Sequence, residues 1–560
     1  MYMVQGHLLC AILLMLVSVS KQIAKHMKRK YTEGIYMRVV VCKRLIPGTS
    51  YIVIQPKYNA VHFSSPTGTR ERLLLCSSAT VLPQKRRFSS ELNALLGRVV
   101  IVGATRAALV TTGVTMAGEV KWLWKSTLTE SYFEPHTACY QLGLSTHEPL
   151  LEEHVIQALR HLYRKVPSLR ACYGERHGER WMREMAEEII DFEVISDATI
   201  DDEIHHSMHN ISLNNDKGPL WCARLLPGVA EFNVSEFPNV CTLFLVVNHS
   251  ISDGTSNMKT CGFFVQLLDA VIAGKPIDDK EQLGVFVSDE KTQKLIQEQL
   301  DFLEANPDLM LKTKEEVRAC QSIRSLVKST YKGVGDVVAK TLTLTKELDP
   351  DSTASFIKRC RAEGVTVNSA FAALANITTV EILVEGGLEQ DTYTIRGDHL
   401  FNARRYWGGD TSQYLGCHVL PLQPVLIETP RNVGENFWDF ARLTHQKLLE
   451  KIKGVTALQE EAMKPFVPKN PDFKPNFEFE FVLTNMGDVT ETVTEGGQNV
   501  DVINVIRSVC IQTAPIAFDS FIHSFRGRFM HTLVYNSSFI SPKMAKDYCE
   551  KIFNSIRKLY

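Results

Sequence analysis

Cys241–Gly254, CTLFLVVNHSISDG, is the stretch that decides the fold. Cys241 to Val247 form an unbroken apolar run rich in β-branched side chains, the pattern of a strand covered on both faces. After Asn248-His249 the period changes, and Phe263, Phe264, Leu267, Leu268, Val271 and Ile272 fall on one helical stripe. Asp253, or the nearby Thr255 or Ser256, is the residue type that caps such a helix. His249 is therefore predicted on a turn from a buried strand into a helix, where the backbone holds one ring nitrogen and leaves the other to a cleft. An imidazole held in that way suits a general base that takes a proton from an alcohol, amine or thiol attacking an activated acyl group. Asp253, beside free helix N–H groups, can bind an arginine and brace the turn. Gly254 permits close packing or an unusual backbone angle. With 17 histidines in the chain, His-x-x-x-Asp is expected about once by accident, so a buried structural histidine is the competing reading. The strand before the motif and the capped helix after it give it weight.

Upstream, Leu150, Leu151, Val155, Ile156, Leu159 and Leu162 predict an amphipathic helix capped by Ser145 or Thr146 and closed by Pro167. Gly218-Pro219-Leu220-Trp221 introduces a strand, and Glu231 to Pro238 a turn. Downstream, Asp289 to Glu316 reads as exposed charged helix, and Ser329 to Val338, with Gly333 and Gly335, as the connection between two halves. The second half opens with a strand at Thr341 to Lys346. Asp349-Pro350-Asp351-Ser352 then starts one helix, and Thr366-Val367-Asn368 caps another that carries Phe371, Leu374 and Ile377. Phe477, Phe479 and Phe481 alternate as in a strand, Arg526-Gly527 marks a hairpin, and Ser541-Pro542 opens the last helix.

The segment Asn248-His249-Ser250-Ile251-Ser252-Asp253-Gly254 resembles the HHxxxDG/HxxxDG signature of the coenzyme A-dependent acyltransferase superfamily. That superfamily takes in chloramphenicol acetyltransferase, alcohol acetyltransferases, plant BAHD acyltransferases, mycobacterial polyketide-associated acyltransferases and nonribosomal-peptide condensation domains. Asn248 stands where the doubled form has its first histidine. In the family's order, Val166-Pro167-Ser168-Leu169-Arg170 is similar to its "hPxLR" segment, Gly218-Pro219-Leu220-Trp221 to its "gPLw" strand, and Gly364 to Asn368 to its "GvTvn" helix start. Asn402-Ala403-Arg404-Arg405 through Tyr414-Leu415-Gly416-Cys417 resembles the "N-x-R … y-l-G-n" loop, and Thr484-Asn485-Met486-Gly487 the "sN-x-G" strand end. The likeness runs from about Gly118 to Tyr560. The BAHD DFGWG box is absent.

The resemblance implies an α/β (α+β) fold of two chloramphenicol-acetyltransferase-like lobes, each a mixed sheet flanked by helices, with an active-site tunnel between them. The domains expected are an extension at 1–115, a first lobe at 116–335 carrying the motif, and a second lobe at 336–560. It further implies an acyltransferase for groups other than aminoacyl groups, moving an acyl group from acyl-CoA to a small alcohol or, second, an amine. His249 would be the general base, and Asp253 a structural partner of Arg404, with Arg405 as the substitute. Gly254 belongs to the catalytic turn, and Asn485 would serve the oxyanion. Tyr414, Gly416, Arg404 and Ser252 would meet substrate. No permanent cofactor is expected, with acyl-CoA as co-substrate, and the protein is expected to be monomeric. The alternatives are a non-catalytic acyl-CoA or ligand-binding protein of the same fold, or a carrier-dependent condensation enzyme, although no LGGxS-like attachment site is present.

Composition bounds these readings. The 560 residues are 44% hydrophobic and 22% charged, as in a folded protein. Lys+Arg 62 against Asp+Glu 63 leaves no bulk attraction to a phosphate backbone, so nucleic acid is not an expected partner. The 13 cysteines are dispersed, without CxxC pairs, and read as reduced, mostly buried thiols of a cytoplasmic protein. Leu8 to Val19 is too short to span a bilayer. Lys21, Lys25, Lys28, Arg29 and Lys30 follow it, so residues 8–30 are expected to make at most weak membrane contact. Glycosylation sequons, such as the one at Asn248, carry no meaning in the cytosol. The turn at Gly103 lacks the further glycines of a nucleotide site, and Met116 is an alternative first residue. His205, His206 and His209 could chelate a metal but lack a third ligand, and read as a solvated polar face. No G-x-S-x-G elbow is present for a serine hydrolase.

Overall fold

The computed structural model describes residues 37–43, 50–56, 120–196, 198–230, 237–332, 338–467, 479–511 and 516–560. The chain divides into two compact units, Met1–Thr115 and Met116–Tyr560. In the first, strands β1 (Met37–Lys43) and β2 (Ser50–Pro56) pair antiparallel, Met37 facing Pro56. The readings made on residues 8–30, Gly103, Met116, Gly333, Gly335 and Phe477, and on most of the turn at Glu231 to Pro238, fall outside the described residues.

The second unit is built on two mixed sheets with flanking helices. The central strand of the first is β9 (Asn239–Asn248), buried on both faces from Cys241 onward as its apolar run predicts. It pairs antiparallel with β4 (Thr137–Thr146) on one side and β8 (Trp221–Pro227) on the other, and β7 (Phe192–Val194) runs parallel to β8 at the edge. Helix α1 (Leu128–Phe133) precedes β4, and α2 (Glu152–Lys165) follows it. Ser145 and Thr146, predicted to cap α2, are instead the end of β4: strands on both sides take up their backbone groups, and α2 starts after Leu151 with no side-chain cap. A separate sheet of β3 (Trp122–Lys125), β5 (Ala171–Arg176) and β6 (Glu179–Glu184) lies on this lobe. The Trp221 indole donates to the Leu169 carbonyl at 2.9 Å, so the two motif segments near Pro167 and Pro219 are joined inside the core.

The second sheet has the order β11 (Thr341–Leu348), β18 (Arg528–Asn536), β17 (Ile516–Phe525), β15 (Phe479–Asp488), β12 (Thr392–Asn402), β14 (Val419–Pro430). In the first lobe, α3 (Asp202–His209) and α4 (Gly254–Ile272) flank the sheet; α5 (Pro350–Ala362), α6 (Val367–Glu385) and α7 (Pro542–Lys558) cover the second. Their caps are those expected: Asp349, Thr366 and Ser541 accept the Ser352, Ser369 and Met544 amides. Helix α6 is long and apolar enough to cross a membrane, yet most of its residues are buried inside the second core.

The expected single cut between lobes at 335/336 does not describe the sheets. Strand β16 (Val500–Val509) comes from the second half of the chain but pairs antiparallel with β4, Val500 facing Thr146 and Val509 facing Ala138. It crosses over because its apolar side chains Val500, Val502 and Val505 complete the first core, which an edge at β4 would leave open. A two-residue parallel pairing of β10 (Val285–Phe286) with β13 (Tyr414–Leu415) ties the halves a second time. The polar face expected at α3 is also corrected. His205 is half-buried and bonds Gln141 and Thr343, and the buried His209 ring nitrogen Nε2 meets the Ser508 hydroxyl, because α3 is packed between elements of both halves.

Candidate functional site

β9 ends at Asn248, and His249–Ile251 make a single tight turn before Asp253 caps α4 by accepting the Ser256 amide at 2.9 Å. The Asn248 carboxamide is spent on the turn. It accepts from Ser250 and donates to the Glu134 carbonyl and the Asn215 side chain. This fixes where the next residue points. The His249 backbone N–H donates to the His136 carbonyl at 2.9 Å. Its ring stacks under Phe133 with centroids 4.2 Å apart, and its Nδ1 lies 3.9 Å from the Cys417 sulfur. Burial lowers the His249 pKa below the usual imidazole value, while main-chain hydrogen bonds and Asp253 pull it up and do not prevail. The ring is thus neutral at pH 7.

Asp253 and Arg404 form the predicted ion pair, 2.7 Å apart and both buried. The same carboxylate oxygen accepts the His418 backbone N–H at 2.9 Å. Burial by itself would raise the Asp253 carboxyl; Arg404, His418 and the hydrogen bonds overcome it and hold the pKa at about 2. Arg404 also donates to the Ser256 hydroxyl, the Gly416 carbonyl and the Asn402 side chain, so its terminal nitrogens belong to the brace and not to a substrate surface. Arg405 lies over the Phe401 ring instead. Gly416, at φ +139, has its N–H and carbonyl bonded to Ser256, and a Cβ there would sit 2.6 Å from the Val287 carbonyl. Tyr414 lies in the short β10–β13 pairing, near Trp407. Asn485 is exposed, and its side-chain oxygen accepts the Gly487 amide at 2.8 Å, the ordinary work of a strand-ending asparagine. The adjacent Met486 reaches the motif: a Cβ on Gly254 would lie 2.8 Å from its sulfur, so a larger residue there would push that side chain aside. The Ser252 hydroxyl, three residues after His249, is buried without a hydrogen-bond partner.

Four residues at the site escaped the sequence reading: Phe133, His136, Glu130 and Asp289. The first three belong to α1 and the loop after it, which buries only Glu130 and Phe133; Leu128 is 78% and Tyr132 46% exposed. The Thr127/Glu130 capping box was the available signal. His249 itself is 6% exposed, and the Phe133 ring of α1 roofs the imidazole. A cleft of about 520 Å³ between α6 and α7, lined by Glu381, Arg431 and Lys551 among others, lies in the second lobe, apart from this turn.

Glu130 accepts from the Trp124 indole and the Thr127 amide, but burial, and then the nearby Asp289 carboxylate, raise its pKa to about 7. Between the unfolded value near 4.5 and that point, the unfolded chain gives up the Glu130 proton while the folded protein keeps it, so stability falls as pH rises through this window. The Glu130→Gln protein is expected to melt at a higher temperature than wild type at pH 8, and not at pH 4. Its gain is about 1 to 2 kcal/mol after loss of one hydrogen bond that the amide cannot accept. Thermal melts at the two pH values check this; equal shifts at both would remove the charge argument.

No family model matches the chain, and no curated protein matches it in sequence. Solved structures do. Trichothecene 15-O-acetyltransferase from Fusarium sporotrichioides is similar with a TM-score of 0.56 at 12% identity, over 80% of this chain and 97% of its own. Polyketide synthase associated protein 5 from Mycobacterium tuberculosis follows at 0.54 and 13%, over 78% and 98%. The starter condensation domain of rhizomide synthetase, solved as a mutant with C8-CoA and Leu-SNAC, gives 0.50 and 12%, over 80% and 96%. At such identities the likeness is one of fold: the chain has the two-lobed fold that these solved structures share.

Proposed function

We propose that this protein transfers an acyl group directly from an acyl-CoA thioester to an alcohol, with an amine as the second choice of acceptor. The observation that carries the reading is the neutral His249 imidazole, set by a strand end and braced through the Asp253–Arg404 pair, on a turn that also holds an unpartnered Ser252 hydroxyl. His249 takes the hydroxyl proton as the oxygen attacks the thioester carbonyl. The carbonyl pair becomes an oxyanion, and the buried, unpartnered Ser252 hydroxyl supplies its donor in this reading. Collapse of the tetrahedral adduct breaks the carbon–sulfur bond, and the imidazolium returns its proton to the leaving thiolate, giving ester and free CoA.

The Cys417–His249 contact invites a second mechanism, an acyl-cysteine intermediate. Burial, and after it the Asp253, Asp289 and Glu130 carboxylates, push the Cys417 pKa well above the usual thiol value. A thiolate is what a cysteine nucleophile needs, so direct transfer is favoured. The Phe133 roof over His249 favours one alternative, a binding protein that holds acyl-CoA without turnover. Thiol release from acetyl-, octanoyl- and palmitoyl-CoA, each with mixed alcohols and amines, separates the readings. Turnover is expected with at least one donor; tight acyl-CoA binding without thiol release would leave the binding protein, and a response only to carrier-bound thioesters a condensation enzyme.

A further inference from the structure

A base that removes the acceptor's proton does not by itself hold the acceptor's oxygen in line with a carbonyl carbon. In this fold Asn248 cannot help, since its carboxamide is consumed within the turn. A second imidazole is nevertheless present. His136 sits between α1 and β4, and its backbone carbonyl takes the His249 N–H. Its ring lies 6.4 Å from that of Phe133, which in turn lies 4.2 Å from that of His249, so one aromatic side chain touches the surroundings of both imidazoles. Tyr132 flanks His136 with nearly parallel rings 5.9 Å apart. The His136 Nδ1 is buried and has no hydrogen-bond partner. A buried polar atom without a partner is costly, and a bound polar group would relieve that cost. Burial, and then His249, lower the His136 pKa to about 4, so the ring is neutral and carries one N–H.

We propose that His136 binds the acceptor oxygen, donating its Nδ1–H to one lone pair while a second lone pair attacks and the hydroxyl proton passes to His249. This rests on the acyl-transfer reading and narrows it to a substrate class. An alcohol oxygen has two lone pairs, one for the donor and one for the attack. A neutral amine has a single lone pair, and a donor that occupies it stops the reaction. His136 therefore selects alcohols over amines. The Tyr132 and Phe133 rings flank His136, so the acceptor is expected to be an alcohol with a flat apolar group that packs against them.

The test compares wild type, His136→Ala and His136→Gln with octanoyl-CoA as donor and 2-phenylethanol or 2-phenylethylamine as acceptor. In both variants the KM for 2-phenylethanol is expected to rise about tenfold, less for Gln, whose amide can still donate. The KM for octanoyl-CoA stays unchanged, and the alcohol-to-amine preference shrinks by the same factor. Parallel losses for both acceptors, or equal changes in the two KM values, would overturn the assignment. Titration of ¹⁵N-histidine-labelled wild type with 2-phenylethanol alone reads the contact without turnover. A shift of the His136 Nδ1 resonance supports the contact, and an unmoved resonance overturns it. A wild type that releases no thiol sinks the acyl-transfer reading, and the resonance then decides the His136 contact separately.

Discussion

Replacing His249 by alanine is expected to lower acyl transfer about 10² to 10⁴-fold while the protein stays folded. The loss is one of chemistry because the ring makes few structural bonds: it contacts the Phe133 face and the Cys417 sulfur, and the turn itself is held by Asn248, Ser250 and Asp253. Truncation leaves a small cavity, worth about 1 to 3 kcal/mol, which a thermal melt registers and which does not unfold a two-sheet unit. The pH profile gives a further check. Burial lowers the His249 pKa, so the base form persists below the usual imidazole value and the acid limb of kcat/KM lies under about 6.5. In the variant that limb disappears. Equal thiol release by both proteins would remove His249 from the mechanism and leave the fold alone standing.

Breaking the Asp253–Arg404 pair is expected to cost stability as well as rate. Replacing Arg404 by methionine strands a carboxylate that is buried and loses its guanidinium partner, a penalty of about 3 to 5 kcal/mol. Asp253→Asn leaves the cation bare and weakens the bonds from the His418 and Ser256 amides. The double variant, with both charges gone, is expected to be more stable than Arg404→Met alone, and denaturant melts of the three proteins check this. Additive losses would mean that the pair is not coupled. The carboxyl is held at about 2 against an unfolded value near 3.8, so its contribution is fully present above pH 4 and is lost as pH falls through that interval. Arg404→Met leaves both His249 and its Asp253 neighbour in place, so a fall in its rate reports displacement of the turn, whereas Asp253→Asn also removes a charge that raises the His249 pKa.

Much of this site is local and could be read from the chain. The apolar run Cys241 to Val247, the Asp253 cap and the helical stripe after it lie within one strand-turn-helix, and period and capping are properties of neighbouring residues. The caps at Asp349, Thr366 and Ser541 held for the same reason, because each bonds an amide within three residues. Ser145 and Thr146 failed as caps because partner strands far away in sequence claimed them.

By itself, then, the order of residues determined a buried strand running into a capped helix with a histidine at the bend, and, through motif resemblance, the two-lobed fold and the partnership of Asp253 with Arg404. Only the tertiary structure decided that β16 would complete the first sheet, that α1 would lay Phe133 over the imidazole, and that Glu130 and Asp289 would share one buried region. It also brought His136 to the site. The physical reason is that burial, electrostatic coupling and stacking act between side chains close in space whatever their separation along the chain, so a lone histidine after a short helix carries no periodic signal of the ring it will face.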